Sequence, residues 1–496
     1  LKDLGKKRNA HAFGQLDVVG AIGGSLSQLQ ALEALPENST QEIAAKEAAY
    51  RAFLQQAKIS RLAHAADLLV GAYLLPKREG AETSIPTSAT LYLTLLGDVL
   101  PTGQLGALAA AQNACAEARV LHWPLAFPQV FAGGGFDCVL GNPPWEMLQL
   151  DPQEFFATRD PSVANAKHMT ARDKMIAELE QTNARLYAEY WSAVRLTEAV
   201  QNFIHASGRF PTSGFGRLNL AYLFTELFLD LRRAEGRSGL IVPTGIATDS
   251  FSQHLFNRIA KGNLISLFDI ENRDKLFAAV DSRMKFCLLT LGAAQAADFV
   301  YFATQVSQLA DPHRRFTLTP EEFRLLNPNT RTCPIFRSNA DAELTKKIYR
   351  RVPLLWQETS NDVQERNPWS IQFMLMFMMN TDSYRFHDSG KSDLLPLYEA
   401  KMIHQFDHRW ATYTAESDSR DVSDVEKADP AFAVTPRYWV SQNDVEERLT
   451  KRDRDGNVIW RWERQWLMGW RGIARTTDVK WTPKSRQQFK LYASVK

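Results

Sequence analysis

The 496-residue sequence has few cysteines, no cluster of histidines and no long apolar run. Its four cysteines stand far apart and form no Cys-x-x-Cys, which argues against a disulfide scaffold and a structural zinc site. No stretch approaches the roughly 20 apolar residues that span a bilayer. The first twenty residues show no signal-peptide pattern. We therefore expect a cytoplasmic protein with reduced thiols, no metal and no membrane contact.

The overall composition is that of a folded globular protein. Hydrophobic residues make up 45% and charged residues 23% of the chain, close to the average of soluble domains. These fractions exclude a disordered chain. The length allows two to four domains of roughly 100–200 residues each.

Positive charge and tryptophan concentrate near the C-terminal end. Residues 451–496 carry twelve Lys or Arg against four Asp or Glu, although the whole chain has a net charge of only +2. Five of the twelve tryptophans lie between Trp460 and Trp481. Basic and aromatic residues together suit a phosphate backbone and unstacked bases. The alternative, which charge alone favours, is a solvated surface over a Trp-rich core. The candidate DNA contacts are Arg461, Arg464, Arg471, Arg475, Lys480, Lys484 and Arg486.

The hydrophobic pattern alternates between helices and short apolar strands. It predicts helices over 40–75, 107–120, 163–207 and 219–233, and strands over 136–140, 240–243, 264–269 and 286–291. Such alternation predicts an α/β fold with a parallel sheet covered on both faces. From about residue 300 the prolines multiply, and we expect a different domain to begin.

The most informative motif is Asn142-Pro143-Pro144-Trp145, directly after the strand 136–140. Ligands of open α/β sheets bind beyond the carboxyl ends of strands, where this tetrapeptide is expected. The two prolines stiffen the loop. The Asn142 side-chain oxygen and the Pro143 carbonyl can then accept both N–H groups of an exocyclic amine. Trp145 offers a flat face to the base. The simpler interpretation is a sharp turn with a packing tryptophan.

The segment Asp137–Trp145 resembles the catalytic motif of S-adenosylmethionine-dependent methyltransferases that act on the N6 of DNA adenine. Segments 219–224, 239–244, 268–273 and 281–286 resemble later motifs of that family. Segments 398–409 and 466–471 look like the large bacterial methylases of restriction-modification and phage-defence systems of the DISARM and BREX kind. The similarity covers roughly residues 120–480.

The resemblance implies a Rossmann-like methyltransferase sheet with helical insertions and a C-terminal mixed α/β target-recognition domain. Residues 1–120 would be a mainly helical N-terminal region, and 121–300 the catalytic half with an insertion at 160–207. Residues 301–395 would connect it to a basic, Trp-rich DNA-binding region at 396–496.

The resemblance also implies roles for individual residues. The catalytic set would be Asn142, Pro143, Pro144 and Trp145, with Trp145 and Phe286 stacking on the flipped base. Residues near the S-adenosyl-L-methionine cofactor would be Asn219, Leu220 and Phe224. The family's Gly-x-Gly cofactor loop has only a poorly spaced candidate at 17–25, so we expect that loop upstream of Leu1.

The implied function is site-specific methylation of adenine N6 in double-stranded DNA, with base flipping, in an antiviral defence or restriction-modification system. Other subunits of that system are candidate partners. The first alternative is a non-catalytic DNA-binding subunit with a degenerate methylase fold. A second is a nuclease, because Glu399-Ala400-Lys401 has Glu-x-Lys spacing and Asp388 or Asp393 precedes it. A third is methylation of protein or RNA through the same loop.

Overall fold

The chain folds into two compact units, Leu1–Trp369 and Ser370–Lys496, and its architecture is mixed α/β. The computed structural model describes residues 27–59, 61–80, 82–96, 102–359, 364–371, 374–391, 393–404, 407–464, 467–469 and 493–495. None of the helices within these ranges is long and apolar enough to cross a membrane.

Helices precede the sheet in the first unit. The expected helix over 40–75 is present as two helices, Thr40–Ile59 and Arg61–Leu74, and Ser88–Leu96 and Thr102–Glu117 follow. Leu68 and Ala111, both fully buried, form part of a separate small core among these helices. Two short helices, Trp123–Ala126 and Pro128–Ala132, lead into the first strand.

A six-stranded sheet forms the centre of the first unit. Its strands are β1 (Phe136–Gly141), β2 (Arg232–Pro243), β3 (Leu264–Glu271), β4 (Lys285–Leu291), β5 (Ala297–Ala303) and β6 (Phe316–Leu318). The strand order is β1-β2-β4-β3-β5-β6. Strand β1 pairs parallel to β2 and β3 parallel to β5, whereas β4 runs antiparallel to both β2 and β3. Strands β1, β2, β3 and β5 therefore point the same way.

The expectation of an all-parallel sheet is wrong at β4 and β6. A parallel neighbour needs a long crossover, usually a helix. Residues 272–284 between β3 and β4 contain only one short 3-10 turn, so the chain returns along the same edge and β4 is antiparallel. Both faces of β4 are nonetheless covered, since Phe286 belongs to one apolar cluster and Cys287 and Leu289 to the other.

The predicted insertion between β1 and β2 is helical. It contains Pro152–Ala157, Pro161–Ala164, Met169–Thr182 and Ala184–Ala206. Asn183 caps the last of these helices by accepting a hydrogen bond from Leu186 N at 3.1 Å. The insertion has its own core, which includes Phe156 and Ile176. The predicted helix over 219–233 is present as Leu220–Leu231, because Arg232 and Arg233 already belong to β2.

A buried carboxylate fastens helix 220–231 to the loop before it. Glu226 has no exposed side-chain surface, and its oxygens accept hydrogen bonds from the backbone and hydroxyl of both Thr212 and Ser213, at 2.6 to 3.2 Å. Arg258 adds an ion pair at 3.0 Å and also contacts Asp230. A buried charge is tolerated when it is paired and hydrogen-bonded in this way.

The expected domain boundary near residue 300 is not a boundary between units. Strands β5 and β6 complete the same sheet. Helices Pro320–Leu326 and Asn339–Arg351 follow them in the chain. Thr319 and Glu322 form a capping box at the first of these helices. The second unit begins at Ser370 rather than at the expected residue 396.

The expectation of a sheet covered on both faces is wrong at β1, where no residue is buried. Among the described residues β1 pairs with β2 alone, and Leu140 is 75% exposed. Cys138 is exposed, whereas Cys115, Cys287 and Cys333 are buried. Burial raises the pKa of Cys115 and of Cys333 to about 12, and raises that of Cys287 well above its ordinary value. Cys138 is therefore the accessible thiol of the chain.

The second unit is built from short strand pairs and helices. The strands are β7 (Leu394–Leu397), β8 (Ala411–Tyr413), β9 (Ser419–Asp421), β10 (Tyr438–Ser441), β11 (Thr450–Arg452), β12 (Val458–Arg461), β13 (Leu467–Gly469) and β14 (Ala493–Val495); the helices are Met379–Asp382, Asp424–Ala428 and Gln442–Arg448. Trp410 lies against the His404 ring at 4.4 Å and the Lys427 ammonium at 4.8 Å. His404, which belongs to the segment that carries part of the resemblance, thus packs within this unit.

Replacing the buried carboxylate of Glu226 should destabilise the first unit. In Glu226→Gln an amide N–H₂ must face groups that are themselves donors, so we expect a loss of about 2–4 kcal/mol in the free energy of unfolding. Urea denaturation measures it. The matched control is Glu235→Gln at an exposed position of β2, expected within about 0.5 kcal/mol of the parent. Equal unfolding free energies for the two variants would show that the hydrogen bonds of the Glu226 carboxylate do not stabilise the first unit.

Candidate active site

Loops from several strands meet at one edge of the sheet. Because β1, β2, β3 and β5 are parallel, the residues that follow them lie beyond the same carboxyl edge, at 142–145, 244–249, 272–284 and 304–310. This edge is where open α/β sheets bind ligands. The tetrapeptide Asn142–Trp145 follows β1 directly, as expected from the sequence.

The residue before the tetrapeptide, Gly141, packs closely against a neighbouring helix. A Cβ on Gly141 would lie 3.0 Å from Cζ of Phe228, a ring on helix 220–231. Only glycine allows this close approach without displacing the ring. Asn142 and Pro144 are exposed and Pro143 is buried, so the loop has one side on the protein and one side toward solvent.

The Trp145 indole fixes the Asn142 side chain. Its Nε1–H lies 3.2 Å from Oδ1 of Asn142 and 3.1 Å from the carbonyl oxygen of Ile241 on β2. One indole hydrogen is therefore shared between the loop and the neighbouring strand. Since a carboxamide oxygen has two acceptor sites, Asn142 Oδ1 keeps one for a ligand. Within the described residues no hydrogen bond involves the Pro143 carbonyl.

Trp145, Phe277 and Phe286 form an aromatic triad. The ring centroids of Trp145 and Phe286 are 5.9 Å apart with planes 29° apart, and Phe277 meets both rings edge-on at 6.3 and 4.9 Å. Phe286 is only 2% exposed. The expected direct stacking of Phe286 on a base does not fit this arrangement, because Trp145 and Phe277 cover it. Phe286 instead supports Trp145, which is half-buried.

Asn272 shapes the loop that carries Phe277. Its side chain is fully buried, with Nδ2 donating to the carbonyls of Phe277 and Val280 at 3.0 Å and Oδ1 accepting from Phe277 N at 3.0 Å. At the mouth of the same loop, Glu271 pairs with Arg273 at 2.6 Å and Lys285 at 2.8 Å. These contacts set the position of Phe277 over the tetrapeptide.

The loop after β2 rests on a second buried carboxylate. Thr244 donates its hydroxyl to Asp269 at 2.6 Å, and Phe302 N donates to the other oxygen at 2.9 Å. Burial raises the pKa of Asp269, although both hydrogen bonds oppose the shift. Nearby, burial and the Asp249 carboxylate raise the pKa of Tyr222. These groups fix the loop after β2.

The structure brings only part of the expected cofactor set to the tetrapeptide. Asn219 donates from Nδ2 to the Trp145 carbonyl at 3.2 Å. Leu220 packs in an apolar cluster with Leu148 and Leu218, and Phe224 meets Phe228 edge-on at 6.4 Å. The weak glycine candidate at 17–25 lies outside the described residues.

Most of the expected DNA contacts also lie outside the described residues, namely Arg471, Arg475, Lys480, Lys484 and Arg486. Arg461 and Arg464 are exposed, and Arg461 is 3.7 Å from Glu446.

The nuclease alternative would need a metal site. In the part of the chain that the structure describes, no group of three His, Cys, Asp or Glu residues could hold a metal ion. The Glu399 carboxylate instead accepts a hydrogen bond from the Tyr413 hydroxyl at 2.8 Å.

Sequence reasoning missed Phe277 and Asn272 as parts of the site. Their signal was present but weak, since an Asn directly after a buried strand is a common turn residue and Phe277 lies in a loop without periodicity. It also missed Thr244 and Asp269, whose hydrogen bond joins the loop after β2 to β3, a strand that is not adjacent to β2 in the sheet.

Comparison with known proteins gives no match, since no family model matches the chain and no curated protein does. The function of the site must therefore be argued from its residues and their geometry.

Releasing the loop over the tetrapeptide should be measurable. In Asn272→Ala the three hydrogen bonds to Phe277 and Val280 are removed, so we expect faster amide exchange across 273–284 and a loss of about 2–4 kcal/mol in unfolding free energy. Hydrogen–deuterium exchange with mass spectrometry measures both the local exchange rates and the unfolding free energy. Leu276→Ala, at a 45% exposed position of the same loop, is the control. Unchanged exchange in Asn272→Ala would show that the loop is held by other contacts.

Proposed function

We propose that this protein is an adenine-N6 DNA methyltransferase whose target amine is held by the tetrapeptide. The observation that carries the proposal is the exposed Asn142 at the carboxyl end of β1, with its Oδ1 oriented by the Trp145 indole. A strand, a proline-stiffened loop and an indole together present a carboxamide oxygen in a fixed position. Preorganised acceptors are what an amine needs as it gains positive charge.

The residues act on the amine through hydrogen bonds. Asn142 Oδ1 and the Pro143 carbonyl would each accept one N–H of an exocyclic amine. This would pull the nitrogen toward tetrahedral geometry and localise its lone pair for attack on the sulfonium methyl of S-adenosyl-L-methionine. The N–C bond would form as the S–C bond breaks, the sulfur would leave as a neutral thioether, and one N6 proton would pass to solvent. The two oxygens then stabilise the developing positive charge on nitrogen. No shifted pKa is needed for this chemistry.

Trp145 would receive the base that carries the amine. Flipping an adenine out of a duplex costs a few kcal/mol, and one base–aromatic stack returns about 1–3 kcal/mol. The indole is held on its Nε1 edge by Ile241 and backed by Phe286. Trp145 is only half-buried and lies in the same loop as Asn142, so its accessible part could meet a base while Asn142 receives the amine.

The residues expected near S-adenosyl-L-methionine make contacts within the protein. Both ends of the Asn219 amide are engaged within the protein. Leu220 and Phe224 contact other apolar side chains. Leu220 and Phe224 have no polar side-chain group to offer a nucleoside, and Asn219 already uses its amide within the protein, so these three residues alone do not support a cofactor site. The proposal therefore rests on recognition of the amine.

The internal contacts of Asn219, Leu220 and Phe224 also favour a second candidate function, a DNA-binding subunit with a degenerate methylase fold. Calorimetric titration of the full chain with S-adenosyl-L-methionine separates the two. Saturable binding supports the enzyme. No heat of binding, together with DNA binding, supports the subunit.

Asn142→Ala should abolish methyl transfer while DNA binding survives. The variant loses one of two acceptors for the amine, and we expect a fall of about 100-fold or more in rate. Trp145 keeps its hydrogen bond to Ile241, so stacking and DNA affinity should change little. Transfer of labelled methyl to DNA measures the rate, and Asn165→Ala at an exposed helix end is the control. Parental activity in Asn142→Ala would refute the role.

Charge removal near the C-terminal end should change the salt dependence of DNA binding. If the seven Arg and Lys residues from Arg461 to Arg486 named as candidate contacts meet phosphates, replacing them with Gln should lower the slope of log K against log salt. The decrease is roughly 0.9 for each phosphate that is no longer neutralised. Lys174→Gln with Arg185→Gln, at positions 80% and 90% exposed, serves as control. An unchanged slope in the sevenfold variant would assign these residues to a solvated surface.

A further inference from the structure

The Asn219 carboxamide forms hydrogen bonds with two different elements, one through its oxygen and one through its nitrogen. Its Oδ1 accepts from Ala221 N at 2.9 Å and so caps helix 220–231. Its Nδ2 donates to the Trp145 carbonyl at 3.2 Å and lies 3.7 Å from the Met147 sulfur. One side chain thus joins the start of a helix to the end of the tetrapeptide.

The backbone around Asn219 brings the two segments together. Leu148 N donates to the Leu218 carbonyl at 2.8 Å, and Leu220 N donates to the Glu146 carbonyl at 3.0 Å. Met147 and Asn219 form an antiparallel bridge between these bonds. The bridge ends beyond Trp145, and the Asn219 side chain extends the connection to Trp145 itself.

The contact also reaches Asn142 through Trp145. The Trp145 carbonyl is held by Asn219, while the indole of the same residue holds Asn142 Oδ1. Helix 220–231 is a firm support, because Ala221, Leu223 and Leu229 are buried along it. A shift of the Trp145 backbone would therefore move the acceptor that the proposed reaction needs.

We infer that Asn219 is a positioning residue for amine recognition rather than a cofactor ligand. Its hydrogen bond to the Trp145 carbonyl holds the tetrapeptide at a fixed distance from the start of helix 220–231. This inference rests on the proposed function for its consequence in catalysis, but the contact itself does not. It requires asparagine in particular. Aspartate caps a helix as well as asparagine does, but it has no N–H to give to the Trp145 carbonyl.

Asn219→Asp separates the two tasks of the side chain. The cap to Ala221 is kept and helped by the helix dipole, while a carboxylate oxygen now faces a carbonyl oxygen. We expect kcat for methyl transfer to fall about 10- to 100-fold, since small displacements of reacting groups have such effects. KM for DNA and the melting temperature should stay close to the parent values. Asn183→Asp makes the same exchange at the cap of helix 184–206 and should change none of these.

A second measurement reads the contact without any activity. In the full chain labelled with 5-fluorotryptophan, the ¹⁹F resonance of Trp145 is assigned by its disappearance in Trp145→Phe. Asn219→Asp should shift this resonance, and Asn183→Asp should not. If the parent transfers no methyl group, the proposed function fails, and the resonance still tests the contact. An unmoved Trp145 resonance in Asn219→Asp, or an unchanged kcat in an active parent, would overturn the inference.

Discussion

A single indole N–H organises the candidate site. Trp145 Nε1 lies within hydrogen-bonding distance of both a side-chain oxygen of its own loop and a backbone carbonyl of the next strand. If the indole turned away, the Asn142 side chain would lose its fixed partner and rotate freely in solvent, since it is otherwise exposed. The prolines restrict the backbone of the loop, but among the described residues the tryptophan alone hydrogen-bonds the Asn142 carboxamide. The other features of this edge act by keeping that ring in place.

Support for the ring comes from three directions. Phe286 backs it from β4, Phe277 meets its edge from the loop after β3, and Asn219 holds its carbonyl from helix 220–231. Buried polar groups fix two of these supports, because Asn272 shapes the Phe277 loop and Glu226 fastens the helix. Buried networks of this kind are stable only when their members are satisfied, so the loops at this edge depend on polar residues far from the exposed surface.

Much of this arrangement could be predicted from the sequence. The run Phe136–Leu140 between glycines predicted β1 and placed the tetrapeptide beyond it, because a short apolar run bounded by glycines is typical of a strand. The burial expected for that strand is wrong, since no residue of β1 is buried. Strand direction is not encoded in such a run, and for that reason β4 was expected to be parallel. The burial of Phe286 depends on Trp145 lying above it. The donor of Asn219 meets a carbonyl 74 residues away in the chain, a distance at which no local pattern carries information.

The cysteines of this chain differ sharply in accessibility, and the difference has a practical use. Three thiols are buried with raised pKa values, while Cys138 lies exposed on β1. Thiolates rather than thiols react with maleimides, so a fluorophore should attach to this sequence at Cys138 on β1. The label would sit four residues before Asn142, close enough to sense an arriving nucleic acid by quenching or energy transfer. The unmodified sequence therefore carries its own attachment point for an optical probe.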